Sequence, residues 1–249
     1  MNGENELIVG VIGGLGPAAT HDFFGKILLH SNAKGDEDHL HMLVNSNPKV
    51  PDRNRAIAGT GPSSGAALAA MGKALEAAGA DFLVMACNTA HAFEGQIRAA
   101  VDIPFVSLID EVVADVKANH SKAKCVGLLA TQGCVASGIY HAAFKRSSIE
   151  VIHLDRGSQD KFMALLYRIK SGVRGREAKL SMQRLGETLA ANGADVLIAG
   201  CTEVPLVLTA RDCSIPVVDS TDVLARRCVV YARRIEPLPE PERAAGKRC

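Results

Sequence analysis

The sequence predicts an α/β protein of two similar lobes, each a mostly parallel sheet flanked by helices, the pair related by a pseudo-two-fold axis. Three observations predict it. Short Val/Ile/Leu-rich runs alternate along the chain with helical patterns, as expected of strands covered on both faces by crossover helices. The runs fall into two series whose members correspond. The third run of each series, "GADFLVMAC" at 79–87 and "GADVLIAGC" at 193–201, stops on a cysteine.

In chain order the first series is "LIVGVIG" (7–13), "HMLVNSN" (41–47), "DFLVMAC" (81–87) and "PFVSLID" (104–110). The second is "KCVGLLAT" (124–131), "IEVIHLD" (149–155), "DVLIAGC" (195–201) and "IPVVDS" (215–220). Between these runs, 63–79 and 179–193 read as helices closed by Gly79 and Gly193, the residue type that ends helices in a left-handed conformation. "NPKVPDRNRAI" (47–57) is too rich in Pro and polar residues for a helix or strand interior and reads as a loop at the second strand's carboxyl end. The stretch 221–235 reads as a last helix that returns to the first lobe. The expected lobes are therefore 1–105 plus 216–249, and 106–215. The tail "PLPEPERAAGKRC", which carries Cys249, reads as disordered.

The two series align with Gly79 over Gly193, Asp81 over Asp195 and Cys87 over Cys201. "VGVIGGLG" (9–16) matches "VGLLATQG" (126–133), and Ile-Pro recurs at 103–104 and 215–216 with Asp110 and Asp222 six residues past each Pro. Coincidence among buried strands does not account for matches at three separate places, so the pattern is a duplicated domain. In open parallel sheets ligands bind beyond the carboxyl ends of the strands. Both cysteines fall there, so lobes that face each other would put Cys87 and Cys201 on opposite sides of one cleft.

Composition narrows the function. The chain has 249 residues, a net charge of +1, 4% aromatic residues and no Trp. No global field draws it to nucleic acid or an anionic membrane, and there is little to stack on bases. No run approaches the roughly 18 apolar residues of a membrane span, and the N-terminus carries acids where a secretory signal needs cations. A cytoplasmic location is expected, with the seven cysteines reduced. No CxxC pair or Cys/His zinc spacing is present, so no metal is expected. Packing is the ordinary role for Cys125, Cys134, Cys213 and Cys228.

Two thiols across a cleft can act on opposite faces of one carbon. One takes a proton as thiolate, the other returns one as thiol, and the centre inverts. A helix N-terminus behind each cysteine would favour the thiolate. His91, four residues after Cys87, is a secondary candidate for tuning it, but Pro205 holds the matching place after Cys201. Asn88, Thr89, Thr202 and Glu203 follow the thiols and could grip a carboxylate, with helix capping the simpler role. Thr131 and Ser137 sit in the corresponding loop after the fifth strand, with capping at least as good an account of Ser137. Gly14, Gly16 and Ala19 satisfy a loose dinucleotide pattern, but the acid expected at the end of the second strand is absent, so no nucleotide cofactor is expected. Arg53 is the strongest candidate for a carboxylate clamp; Asp52 could orient it or bind an ammonium, or sit in a surface ion pair. Lys170 lies near a helix end, where most lysines are solvated.

Together "GGLGP", "NPKVPDR", "ACNTAH", "YRIKSG" and "GCTEVPL", in that order along the chain, resemble the aspartate/glutamate racemase superfamily of cofactor-independent two-cysteine racemases. "GGLGP" and "GCTE" resemble its aspartate racemase branch. The resemblance implies Cys87 and Cys201 as the acid/base pair, and Arg53 and Lys170 as carboxylate binders. By the same resemblance Asn88, Thr89, Thr131 and Thr202 line the pocket, and the protein is a homodimer without pyridoxal phosphate. The leading expectation is therefore interconversion of L- and D-aspartate, or a similar acidic amino acid. Maleate isomerisation and racemisation of another amino acid or a hydantoin are the alternatives within the superfamily. A non-catalytic dicarboxylate-binding protein is a further one, though it has no need of two thiols.

Overall fold

The computed structural model describes residues 6–239; Cys249 and most of the tail expected to be disordered lie outside the described residues. The first sheet contains β1 (Val9–Gly13), β2 (Met42–Ser46), β3 (Phe82–Met85) and β4 (Phe105–Val106) in the order β2-β1-β3-β4. The second contains β5 (Cys125–Leu129), β6 (Glu150–His153), β7 (Val196–Ala199) and β8 (Val217–Asp219) in the order β6-β5-β7-β8. Every pairing is parallel. All eight strands fall within the sequence runs, and the two lobes share one topology.

The helices, in chain order, are α1 (Pro17–His30), α2 (Arg53–Ile57), α3 (Gly65–Ala77), α4 (Glu94–Arg98), α5 (Leu108–Asn119), α6 (Gln132–Ser137), α7 (Ile139–Lys145), α8 (Arg156–Lys170), α9 (Arg176–Ala191) and α10 (Ser220–Ala232). Pro17 begins α1, where its missing N–H costs nothing. Gly79 and Gly193 follow α3 and α9 with φ of 99° and 98°, the left-handed geometry their positions predict. The expected loop at 47–57 is partly helical. Asp52 accepts a hydrogen bond from the Arg55 amide at 2.9 Å and nucleates α2, a local cap that outweighs the prolines before it.

Side chains alternate across each strand; the inner strands β1, β3 and β7 are buried on both faces, while the edge strands β2 and β6 are partly exposed. Val9, Val11, Phe82 and Val84 of the first sheet, with Val126, Leu128, Val196 and Ile198 of the second, enter one continuous core between the lobes. Phe23, Val112, Tyr140, Phe144 and Leu224 from α1, α5, α7 and α10 fill it. The opposite faces close two outer cores, Ile12, Leu83 and Met85 beneath α3, and Leu129, Leu197 and Ala199 beneath α8 and α9.

The helix after the fourth strand of each sheet crosses to the other lobe. α5 packs on α7, and α10 packs on α1 and α5. The matched aspartates make matched crossings: Asp110 pairs with Arg146 at 2.9 Å and Asp222 with His30 at 2.7 Å. Lys26 of α1 meets Asp219 at 2.7 Å. The expected boundary at 215/216 needs correction, because β8 lies beyond it and pairs with β7. The second sheet runs to Asp219, and the chain returns to the first lobe only with α10.

Candidate active site

In each sheet the chain leaves the first strand outward and comes back on its other side. This makes a switch point between β1 and β3 and another between β5 and β7, where carboxyl-end loops diverge and leave a crevice. Cys87 and Cys201 stand two residues past β3 and β7 at those crevices, 7% and 5% exposed. Tight turns carry the chain off the strands, with Cys87 N–H bonded to Met85 O and Gly200 N–H to Ile198 O.

The expected α-helix does not begin directly behind either thiol. A 3-10 turn comes first, Thr89–Phe93 running straight into α4 in one lobe and the three-residue Val204–Leu206 standing in the other. Cys201 donates its S–H to Glu203 Oε2 at 3.0 Å. Burial first, and then the Glu203 carboxylate, push this thiol well above its ordinary pKa against the opposing charge of Lys170. Cys201 therefore rests as a protonated, hydrogen-bonded thiol.

The residue two past each cysteine reaches the first loop of the other lobe. Thr89 shares a 2.8 Å hydroxyl hydrogen bond with Thr131, which also caps α6 by accepting from Cys134 N–H at 3.2 Å. Glu203 packs against Gly16, where a Cβ would collide with its Oε1. Gly14, at φ 81°, turns the same loop so closely over the Asn47 backbone that no side chain fits. These glycines serve a tight turn and a cross-lobe approach. A third crossing, Gly133 N–H to Asn54 Oδ1 at 3.0 Å, comes from α2, in the 47–57 stretch.

Lys170, the last residue of α8, pairs with Glu203 Oε1 at 2.8 Å. Burial pulls its pKa down, but Glu203, then Cys201 and Cys87, outweigh that and leave it raised. One ammonium is thus within electrostatic reach of both thiols. Thr202 donates to Glu203 Oε2 at 3.3 Å. A cavity of about 310 Å³ opens beside this cluster, lined by Gly14, Gly16, Asp52, Arg53, Lys170 and Glu203 among others.

Arg53 reaches the cavity with its guanidinium already engaged. It donates to Leu15 O at 2.9 Å, Pro51 O at 3.1 Å and Val50 O at 3.2 Å, three of its five N–H donors. It stitches the β1–α1 loop to the β2–α2 loop with these three donors. Asp52 is occupied as the α2 cap.

His91 does not face a thiol as a tuning base. Its Nε2 accepts from Leu108 N–H at 3.1 Å, so the ring proton is on Nδ1 and donates to Cys87 O at 2.8 Å. Burial holds the imidazole neutral, its pKa lowered despite Glu94. Both nitrogens serve the backbone, and His91 clips the Cys87 turn to the start of α5. Asn88 is no cap either. Its Oδ1 accepts from Tyr140 OH and its Nδ2 donates to Ser220 Oγ. Sequence reasoning missed Tyr140 and Ser220, whose only signals were a tyrosine in an apolar helix and a serine closing the last strand run. Ser137 bonds Cys134 O at the carboxyl end of α6.

The fold and site define a class: two-lobed parallel α/β proteins with a buried thiol beyond the third strand of each lobe and, next to the Cys201 loop, a cavity lined by two basic and two acidic side chains. The chain belongs to the Asp/Glu/hydantoin racemase family, whose sequence model matches residues 12–228. It is 29% identical over 226 residues to the broad specificity amino-acid racemase RacX of Bacillus subtilis, covering 89% of this chain and 96% of that one. Among solved structures it resembles the Picrophilus torridus aspartate racemase, at a TM-score of 0.82 and 31% identity over 94% of this chain and 96% of that one. It shares its fold with the glutamate racemase of Francisella tularensis solved with D-glutamate, at a TM-score of 0.64 and 18% identity over 90% of this chain and 79% of that one. Racemisation of amino acids is the activity that goes with this membership. No helix among the described residues is long and apolar enough to cross a membrane.

Proposed function

We propose that the protein interconverts L- and D-aspartate, or a similar acidic amino acid, by cofactor-independent proton transfer between Cys87 and Cys201. The observation that carries this reading is the contact of Lys170 with Glu203 at 2.8 Å and of Glu203 with Cys201 at 3.0 Å, at a cavity that Arg53 also lines. A substrate carboxylate that takes Lys170 from Glu203 comes to lie beside the Cys201 loop. In one direction Cys87, acting as thiolate, removes the Cα proton. An S–H bond forms, the Cα–H bond breaks, and its electron pair delocalises into the carboxylate. Cys201 then gives its proton to the opposite face, leaving a thiolate and the inverted centre. The reverse direction exchanges the two roles. Lys170 and Arg53 stabilise the charge gathering on the carboxylate, and Asn88, Thr89, Thr131 and Thr202 shape the pocket.

Glu203 has two parts in this reading. It keeps the proton on Cys201, and it occupies Lys170 until a substrate carboxylate displaces it. Incubation with L-aspartate in deuterated water tests the scheme by α-deuteration and the appearance of D-aspartate. Activity that survives in both Cys87→Ser and Cys201→Ser would end it.

A second reading, racemisation of a wider range of amino acids, is favoured by the commitment of Arg53 to three carbonyls, which weakens its hold on a side-chain carboxylate. A panel of aspartate, glutamate, maleate and neutral amino acids separates the two. The leading reading also takes the protein as a cytoplasmic homodimer, which light scattering on the purified chain and fractionation of its cells would test.

A further inference from the structure

A chain of buried hydrogen bonds runs from one lobe into the other next to the two cysteines. Tyr140 OH lies 2.5 Å from Asn88 Oδ1, Asn88 Nδ2 lies 3.0 Å from Ser220 Oγ, and Ser220 Oγ lies 2.8 Å from Ala199 O. Tyr140 and Ser220 are 0% exposed and Asn88 is 1% exposed.

Its polarity has one solution. Ala199 O is a carbonyl and can only accept, so Ser220 donates to it and must accept from the amide of Asn88. The amide oxygen then faces Tyr140, which must donate. No member can reverse without orphaning a buried polar group, so the side-chain amide is locked in one orientation.

Two members of this chain adjoin the cysteines. Asn88 follows Cys87 directly, and Ala199 ends β7, two residues before Cys201. Tyr140 comes from α7 of the second lobe, and Ser220 is the first residue of α10. The side chain after one thiol is thereby anchored to the strand that carries the other. The Lys170 to Glu203 pair lines the cavity and gives way to a ligand carboxylate in the reading above, whereas this strut has no exposed member.

We infer that Tyr140 and Ser220 are positioning residues that, acting through Asn88, set the spacing and aim of Cys87 relative to Cys201. The inference rests on the two-thiol reading above. Inversion needs both sulfurs aligned on one carbon, and a misplacement of about 1 Å can cost on the order of a hundredfold in rate. A single thiol removes and returns a proton on one face without such alignment.

The test uses the full chain as Tyr140→Phe and, at the other end of the strut, Ser220→Ala. In deuterated water, with an amino acid that the parent protein racemises, α-deuteration with retention is compared with inversion. The expected result is a roughly tenfold to hundredfold loss of kcat for inversion, a KM within about twofold of the parent, and a raised ratio of retentive exchange to inversion. A purely structural loss of folded protein lowers both rates together and leaves that ratio alone. An unchanged ratio in whichever variants fold overturns the strut.

A readout free of activity is bridging of Cys87 to Cys201 by 1,3-dichloroacetone, mapped by mass spectrometry. Bridging in the parent and a lower ratio of bridged to singly alkylated protein in the variants supports the strut even if no amino acid is racemised. A parent that forms no bridge, or variants that bridge as well as the parent, overturns it.

Discussion

Thr89 of the first lobe and Thr131 of the second share a hydroxyl hydrogen bond of 2.8 Å, and both are buried. It is one of the crossings that hold the two cysteine loops in a common frame. Glu203 makes the corresponding crossing toward Gly16 from the other side.

That pair should behave as a unit. Thr89→Val leaves the Thr131 hydroxyl short of a partner in a dry interface and should cost about 1–2 kcal/mol. Thr131→Val should cost more, since it also removes the α6 cap. The double variant should cost less than the sum by about 0.5–1.5 kcal/mol. Urea unfolding of the four proteins measures this coupling, and strict additivity would show the bond to be idle.

Lys170 and Glu203 should separate binding from proton chemistry. Lys170→Met removes a charge-assisted partner and should raise KM about tenfold to a hundredfold. Glu203→Gln removes the carboxylate that disfavours the Cys201 thiolate. The pH-rate limb belonging to that thiol should therefore move to lower pH. A limb that stays in place, or moves upward, contradicts the assignment.

His91 should contribute to acid sensitivity. Its native pKa is lowered by burial, so as pH falls through about 6.5 the unfolded chain takes up a proton that the native one refuses. The stability it contributes is present above that pH and is lost below it. In His91→Gln, one side chain offers both a donor and an acceptor without titrating. The drop in urea midpoint between about pH 7 and about pH 5, on either side of that value, should be smaller than in the parent.

At the alkaline end the sign is reversed. Burial raises the thiols of Cys134, Cys201 and Cys228, and pushes Cys213 up to about 11. Above about pH 8.5 the unfolded chain releases protons that the native chain keeps. Stability should therefore decline steadily with rising pH from that point. A flat urea midpoint across the range would show these thiols to be solvated.

Much of this protein is legible along the chain. Strand runs, the glycine stops after α3 and α9, the duplication and the two terminal cysteines all rest on local patterning, and each appears where its run predicts. Lys170 and Thr131 were likewise visible, though only as one polar residue among many.

Sequence by itself determined the two-lobed parallel architecture and the places of Cys87 and Cys201, because buried strands declare themselves through their own side chains. Tertiary structure decided the rest: that Cys201 rests against Glu203, that Lys170 is occupied, that Arg53 holds backbone and that His91 is a clip. It also brought Tyr140, Asn88 and Ser220 into one strut. Each of these depends on a partner in another loop or lobe, and no local pattern in a sequence encodes which distant group a side chain will meet.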